Sequence, residues 1–183
     1  TWKSRGLGDV YKRQHLYLLN LSSMKKFKIR EAVEKDSESI LNLIKELAAF
    51  EKEPDEVSLT IEELAKDGFG IKPKFKCFVA ESKKKIVGIA LFYPCYSSWK
   101  GASWHLEDLI VTKSFRGLGI GFSLLKKFIE FANSTNVRRI QWVVLDWNLE
   151  AINFYKKFGA STFDNWKITQ MDDKAIDTFI NNQ

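Results

Sequence analysis

Arg116-Gly117-Leu118-Gly119-Ile120-Gly121 packs three glycines and an arginine between an apolar run at 106–111 and a helix-like run at 122–132. A strand that turns through glycines into a helix N-terminus leaves several backbone N–H groups unpaired and pointing one way. Those donors, with the positive end of the helix dipole, suit an anion such as a diphosphate. A phosphate approaches the backbone closely only where no Cβ intervenes, which is what the glycines provide. Glycines also close loops that hold nothing, so the spacing must decide. A P-loop needs Lys and then Ser or Thr after its last glycine, whereas Phe122 and Ser123 follow Gly121. A dinucleotide-binding turn needs G-x-G-x-x-G early in a βαβ unit, with an acid about 20 residues on. Here the spacing is G-x-G-x-G, late in the chain, and the next strand-like run ends at Asp146. The pattern R-x-x-G-x-G is met by Arg116, Gly119 and Gly121 without a mismatch.

Two further groups can move protons. Glu107 and Asp108 are adjacent in the apolar run, embedded between Leu106 and Leu109, an odd place for acids in a plain core strand. Strand alternation predicts that their side chains point to opposite faces. Tyr155 lies in Ile152-Asn153-Phe154-Tyr155 on a helix opened by Asn148, whose side chain suits an N-cap. A helical tyrosine is commonly a packed aromatic, but its phenol also has the acidity to protonate a departing thiolate.

The elements that position these groups follow from periodicity. Residues 27–32 alternate as a strand. Asp36 is expected to cap a helix whose Ile40, Leu43, Ile44 and Leu47 repeat at i, i+3, i+4, i+7. Thr60-Ile61-Glu62-Glu63 is a capping box for a short helix expected to end before Gly68. Residues 75–81 and 86–96 read as a hairpin across Lys83-Lys84-Lys85, and 104–111 as the next strand. After the glycine turn and its helix come a strand at 139–145 and a helix at 148–158 closed by Gly159. One or two strands at 161–171 and a terminal helical turn at 175–180 complete the order. It predicts a single α/β domain built on a mixed sheet with helices on its faces.

The chain has 183 residues and is 45% hydrophobic, enough for one domain with a substantial core. Residues 1–23 read as a non-native leader, basic and without periodicity, and 24–183, opening at Met24, as the domain. Of the formal charge of +6, half comes from Lys3, Arg5, Lys12 and Arg13 against Asp9. The remaining Lys and Arg are dispersed, which argues against nucleic acid, although a mildly basic surface favours a polyanionic cofactor. No run is long and apolar enough for a membrane span. Cys77 and Cys95 make neither a disulfide framework nor a metal site, and read as reduced core residues of a cytoplasmic protein. His15 and His105 have no partners at metal-ligand spacing, so no metal is expected.

Across 24–171 the chain resembles the GNAT N-acetyltransferases, and within them the diamine (spermidine/spermine) and thialysine branch. The matching strings are Leu43-Ile44-Lys45-Glu46-Leu47-Ala48, Asp67-Gly68-Phe69-Gly70, Leu106-Glu107-Asp108, the glycine turn, Asp146-Trp147-Asn148 and Asn153-Phe154-Tyr155-Lys156. The resemblance implies the α/β acyl-CoA N-acyltransferase (GNAT) fold and transfer of acetyl from acetyl-CoA to a primary amine of a small cationic acceptor. It implies direct attack in a ternary complex, and neither cysteine has a positioned base for an acyl-enzyme. By the same resemblance Glu107 is the carboxylate acting on the amine through water, and Tyr155 the acid for the departing thiol. The cofactor would be held by Leu109, Ile110 and Val111, by Arg116, Gly117, Leu118, Gly119, Ile120, Gly121 and Phe122, and by Asn148 and Tyr155. Phe50, Glu51, Trp99, Glu107 and Asp108 would line the acceptor site. Ser97, where polyamine-specific relatives carry an acid, and Lys100 tilt acceptor choice towards thialysine or a short diamine. A homodimer is implied as well. Acetylation of protein lysines or N-termini, and a non-catalytic acetyl-CoA sensor, stay as alternatives.

Overall fold

The computed structural model describes residues 27–182, in two compact units divided after Val143. The leader expected at 1–23 and the start at Met24 lie outside the described residues. In the first unit the chain runs β1 (Lys28–Glu31), α1 (Ser37–Glu51), α2 (Ile61–Phe69), β2 (Lys76–Ser82), β3 (Lys85–Ser97) and β4 (Gly101–Val111). It continues through α3 (Ile120–Ser134) to the two-residue β5 (Ile140–Gln141). The strands lie side by side in chain order, antiparallel from β1 to β4, with β5 parallel to β4. Lys83 and Lys84 make the β2–β3 turn with φ of 47° and 65°, the left-handed pair that matches the twist of a tight hairpin.

Each face of the sheet buries a different helix layer. On one face Ile40, Leu41 and Leu43 of α1 and Leu64 of α2 pack with Cys77, Val79, Ile89, Leu91 and Ile110. On the other, α3 sets Phe128 and Phe131 against Phe92, which has no exposed surface, at ring-centroid distances of 4.8 and 5.2 Å. Phe78 and Trp104 complete this aromatic layer at 5.2 and 5.6 Å from Phe92. Burial of large side chains on both faces, at about 1.5–3 kcal/mol each, makes the middle of the sheet the rigid part of this unit.

The second unit, from Val144 onward, holds α4 (Leu149–Lys156) and α5 (Asp173–Asn181). Asn148 caps α4, its Oδ1 accepting from Ala151 N at 3.2 Å, as the sequence predicts. Asp172 caps α5 in the same way at 2.7 Å, so the terminal helix is longer than the expected 175–180. Gly159 follows α4 with φ of 86°.

Four expectations are corrected. The strand at 139–145 shrinks to Ile140–Gln141, the two residues that pair with β4, at Trp104 and His105. No strand forms at 161–171, where Phe163, Trp166 and Ile168 are exposed: a β-favouring composition makes no ladder without a neighbouring strand. Helix α2 runs through Gly68 to Phe69, the ring of Phe75 lying where a Gly68 Cβ would stand. Asp36 sits at the N-cap of α1, but its carboxylate does not cap that helix. It accepts instead from Arg30 at 2.6 and 2.9 Å and from Val33 N at 2.9 Å.

Arg30 also reaches Glu81 at 2.8 Å, so one guanidinium joins β1, β2 and the start of α1. Asp36 is 4% exposed, and the Arg30 guanidinium holds its carboxyl below the usual range. A lowered carboxyl adds stability above the unfolded-state pKa, and that stability is lost as pH falls through the folded value. Asp36→Asn should therefore lower the unfolding free energy at pH 7 by about 2–3 kcal/mol. The deficit against wild type should shrink as pH falls below about 4, measured by urea unfolding across that range.

Candidate active site

The register of β3 on β4 slips once. Tyr93 pairs with His105 and Phe92 with Leu106, but Leu91 pairs with Asp108. Glu107 is therefore the extra residue of a β-bulge, left without a cross-strand partner. The slip overturns the expectation that Glu107 and Asp108 face opposite ways. Asp108 lies opposite Leu91, on the face covered by α1. Glu107 turns to the same face, its Oε2 at 3.5 Å from His105 Nε2 and its charge felt by the Tyr93 hydroxyl.

Helix α1 brings a third carboxylate. Glu51, its last residue, is half-buried, and burial raises its carboxyl above the usual range. Asp108 is pushed up to about 7, first by burial and then by the charges of Glu107 and Glu51. The Tyr93 hydroxyl is pushed up to about 12 by burial and by Glu107. Two adjacent carboxylates within reach of the charge of a third attract a cation and resist being charged together. Among the described residues no three His, Cys, Asp or Glu gather in a way that could hold a metal ion.

β4 runs on from these acids into the glycine turn. β5 pairs with β4 only at Trp104 and His105, so from Glu107 to Val111 the ladder with β3 is not matched by one with β5. Ile110 is buried in the core, while Leu109 and Val111 are half-buried. Gly117 and Gly119 then adopt φ of 76° and 78°, with open space where a Cβ would stand. Gly119 is the N-cap of α3 and offers no side chain to the first N–H groups of that 15-residue helix. Those donors and the open space beside them fit a diphosphate. Ile120 is buried and anchors the helix start, so it can contribute only its N–H, while Leu118 and Phe122 are exposed.

The turn is tied back to α1 at three points. Glu46 accepts from Thr112 Oγ1 at 2.6 Å and from Lys113 N at 3.0 Å. Arg116 Nε donates to Val111 O at 2.9 Å, and its guanidinium lies 5.3 Å from the Phe50 ring centroid. Phe50, expected on the acceptor side, thus packs against the glycine turn, while its neighbour Glu51 joins the acids. Within this chain Trp99 is not beside them: it sits at the tip of the β3–β4 hairpin, about 20 Å of strand from Glu107. Ser97 is buried there, its hydroxyl accepting from Trp99 N and Lys100 N, a turn-holding position.

Tyr155 and Asn148 belong to the second unit. Tyr155 is half-buried, its ring 5.4 Å from that of Phe154. Tyr93, His105 and Glu46 are the residues that sequence reasoning missed. Counting back from the hairpin turn would have set Tyr93 opposite His105. Nothing in the one-dimensional pattern pairs Glu46 with Thr112, 66 residues away.

The sequence profile of the acetyltransferase (GNAT) family matches residues 38–160. A thialysine N-epsilon-acetyltransferase of Bos taurus is 39% identical over 159 residues, covering 81% of this chain and 94% of the relative. A spermidine/spermine N(1)-acetyltransferase-like protein 1 of Homo sapiens is 41% identical over 157 residues, covering 80% of this chain but 23% of that longer protein. Among solved structures, an integron cassette protein from the mobile metagenome of V. cholerae shares the fold, with a TM-score of 0.69 at 22% identity. That likeness covers 85% of this chain and 98% of the other. With a profile matched over two thirds of its length and a glycine turn that leads into α3 through a cap with no side chain, the chain belongs to the GNAT acetyltransferase family.

Proposed function

We propose that the chain moves acetyl from acetyl-CoA to a primary amine of a small cationic acceptor, by direct attack in a ternary complex. The observation that carries this reading is the bulge that brings Glu107 and Asp108 together on one face of β4, beside the strand end that leads into the glycine turn, with the charge of Glu51 acting on Asp108. The family supplies the acetyl chemistry, and the acids supply a reason for the acceptor to be cationic. Acetyl-CoA brings an activated thioester; the remaining roles fall to the chain.

The acceptor arrives at neutral pH as an ammonium and must lose a proton before it can attack. Glu107, 51% exposed and held on the bulge, accepts that proton through water. Asp108 and Glu51 hold the cation in place. Leu109, Ile110 and Val111 offer backbone groups to the extended arm of the cofactor, and an N–H there polarises the thioester carbonyl. The backbone of residues 116–122, with the Arg116 side chain, cradles the diphosphate. Asn148 adds a contact to the arm besides capping α4, and Tyr155 returns a proton to the departing sulfur. A homodimer and a cytoplasmic setting complete the reading, the first on family resemblance and the second on two free cysteines.

Acceptor choice follows from charge and size. A cluster whose most buried acid is half-protonated near neutrality suits one or two ammonium groups better than four. The relatives covered along most of their length are named for thialysine. Rates of coenzyme A release over a panel of amines test this. We expect kcat/KM for thialysine or a short diamine to exceed that for spermine by about tenfold, one decade being about 1.4 kcal/mol. A preference for spermine would sink the acceptor assignment, and release from none of the amines would sink the transferase reading.

The Asp108 carboxyl gives a second test, with a defined sign. A bound ammonium favours the ionised form, so acceptor affinity should rise as pH climbs through about 7. In calorimetry with coenzyme A present, the amine should bind up to about tenfold more tightly at pH 8 than at pH 6. Asp108→Asn should weaken binding and flatten that dependence. Stability runs the other way: the folded carboxyl keeps its proton to about 7, whereas the unfolded one loses it near 4. Folding is thus disfavoured progressively as pH rises between those values. Asp108→Asn should stabilise the protein above pH 7, by up to a few kcal/mol, and not at pH 4.

A further inference from the structure

The bulge brings Glu107 to the α1 face without a cross-strand partner, so neighbouring side chains bear on where its carboxylate sits. Two groups reach it from the same face. Tyr93 and His105 pair across β3 and β4, and their rings stack at 5.1 Å with an interplanar angle of 18°. His105 Nε2 lies 3.5 Å from the Glu107 Oε2, and the Tyr93 hydroxyl is near enough to feel the charge of that carboxylate. The His105 side chain is 17% exposed, so its nitrogen is not freely exchanged for water. The stack fixes the imidazole plane, and so fixes the direction from which its Nε2 approaches the carboxylate.

We propose that His105 is a positioning residue for Glu107: stacked on Tyr93, it holds the bulge carboxylate turned to the face where the acceptor amine binds. The inference rests on the amine-acetylation reading for its kinetic consequence. A carboxylate that must take a proton from a particular nitrogen is sensitive to small errors of orientation, and a displacement of about 1 Å can reduce a rate 10²-fold. His105 itself touches no reacting atom in this scheme. It acts through Glu107.

Replacement by Phe and by Gln separates the donor from the stack. His105→Phe keeps an aromatic ring over Tyr93 and removes the N–H, whereas His105→Gln keeps a donor at similar reach without the ring. We expect His105→Phe to lower kcat about tenfold or more, with KM for acetyl-CoA unchanged within about twofold. His105→Gln should recover much of that loss. In a Glu107→Gln background His105→Phe should have no further effect, because nothing remains for it to position. Tyr93→Phe, which deletes one hydroxyl and keeps the stack, supplies a second arm with the same expected loss in kcat should His105→Phe fail to fold. Wild-type turnover in both His105→Phe and Tyr93→Phe would overturn the inference. So would equal impairment of the Phe and Gln variants, or full additivity with Glu107→Gln. Each of these outcomes leaves an active wild type and the transferase reading standing. A wild-type protein that acetylates no amine would instead remove that reading, and this inference with it.

Discussion

One extra residue in β4 decides what the site can be. Were β3 and β4 paired without interruption, Glu107 and Asp108 would lie on opposite faces, and one of them would sit among the aromatic rings under α3. The bulge removes that conflict by leaving Glu107 out of the ladder and turning both acids towards α1. It keeps Trp104 and Leu106 on the α3 side before the slip, and Ile110 in the α1-side core after it. Bulges re-aim side chains at the cost of local pairing, and here the pairing given up is that of the residue assigned the proton.

The rest of the first unit holds that arrangement still. Buried aromatic packing fixes β3 and β4 from one side, and the apolar face of α1 closes them from the other. The last turns of α1 carry Glu46, Phe50 and Glu51, and these reach the segment after β4, the glycine turn and the acids respectively. A single helix end therefore spans the proposed acceptor side and the proposed cofactor side. Glu46 holds Thr112 and Lys113 four and three residues before Arg116, which ties the helix to the lead-in of the glycine turn.

Much of this was legible in the sequence, and the parts that were not have physical causes. The R-x-x-G-x-G string, the capping box at Thr60 and the N-cap at Asn148 are local, and local chemistry is written in adjacent residues. The bulge was written too, in a change of phase: apolar residues fall at 104 and 106, then at 109 and 111. Strict alternation smoothed over that slip. The strand expected at 161–171 failed for the opposite reason, since strand-forming residues say nothing about whether a partner strand is present. Glu46 and the Tyr93–His105 stack depend on tertiary placement. Ser97 reads as a specificity position in the sequence, and its part in holding the hairpin turn shows only in the fold.

The central claim is that Glu107 and Asp108 serve one bound amine from one face. A double-mutant cycle of Glu107→Gln and Asp108→Asn, read as kcat/KM for the best acceptor, tests it most directly. Groups that share a ligand are coupled, while independent sites add within about 0.5 kcal/mol. The account predicts a double variant less impaired than the product of the single effects, with a coupling on the order of 1 kcal/mol or more. Effects that multiply without coupling would place the two carboxylates in separate environments and contradict it.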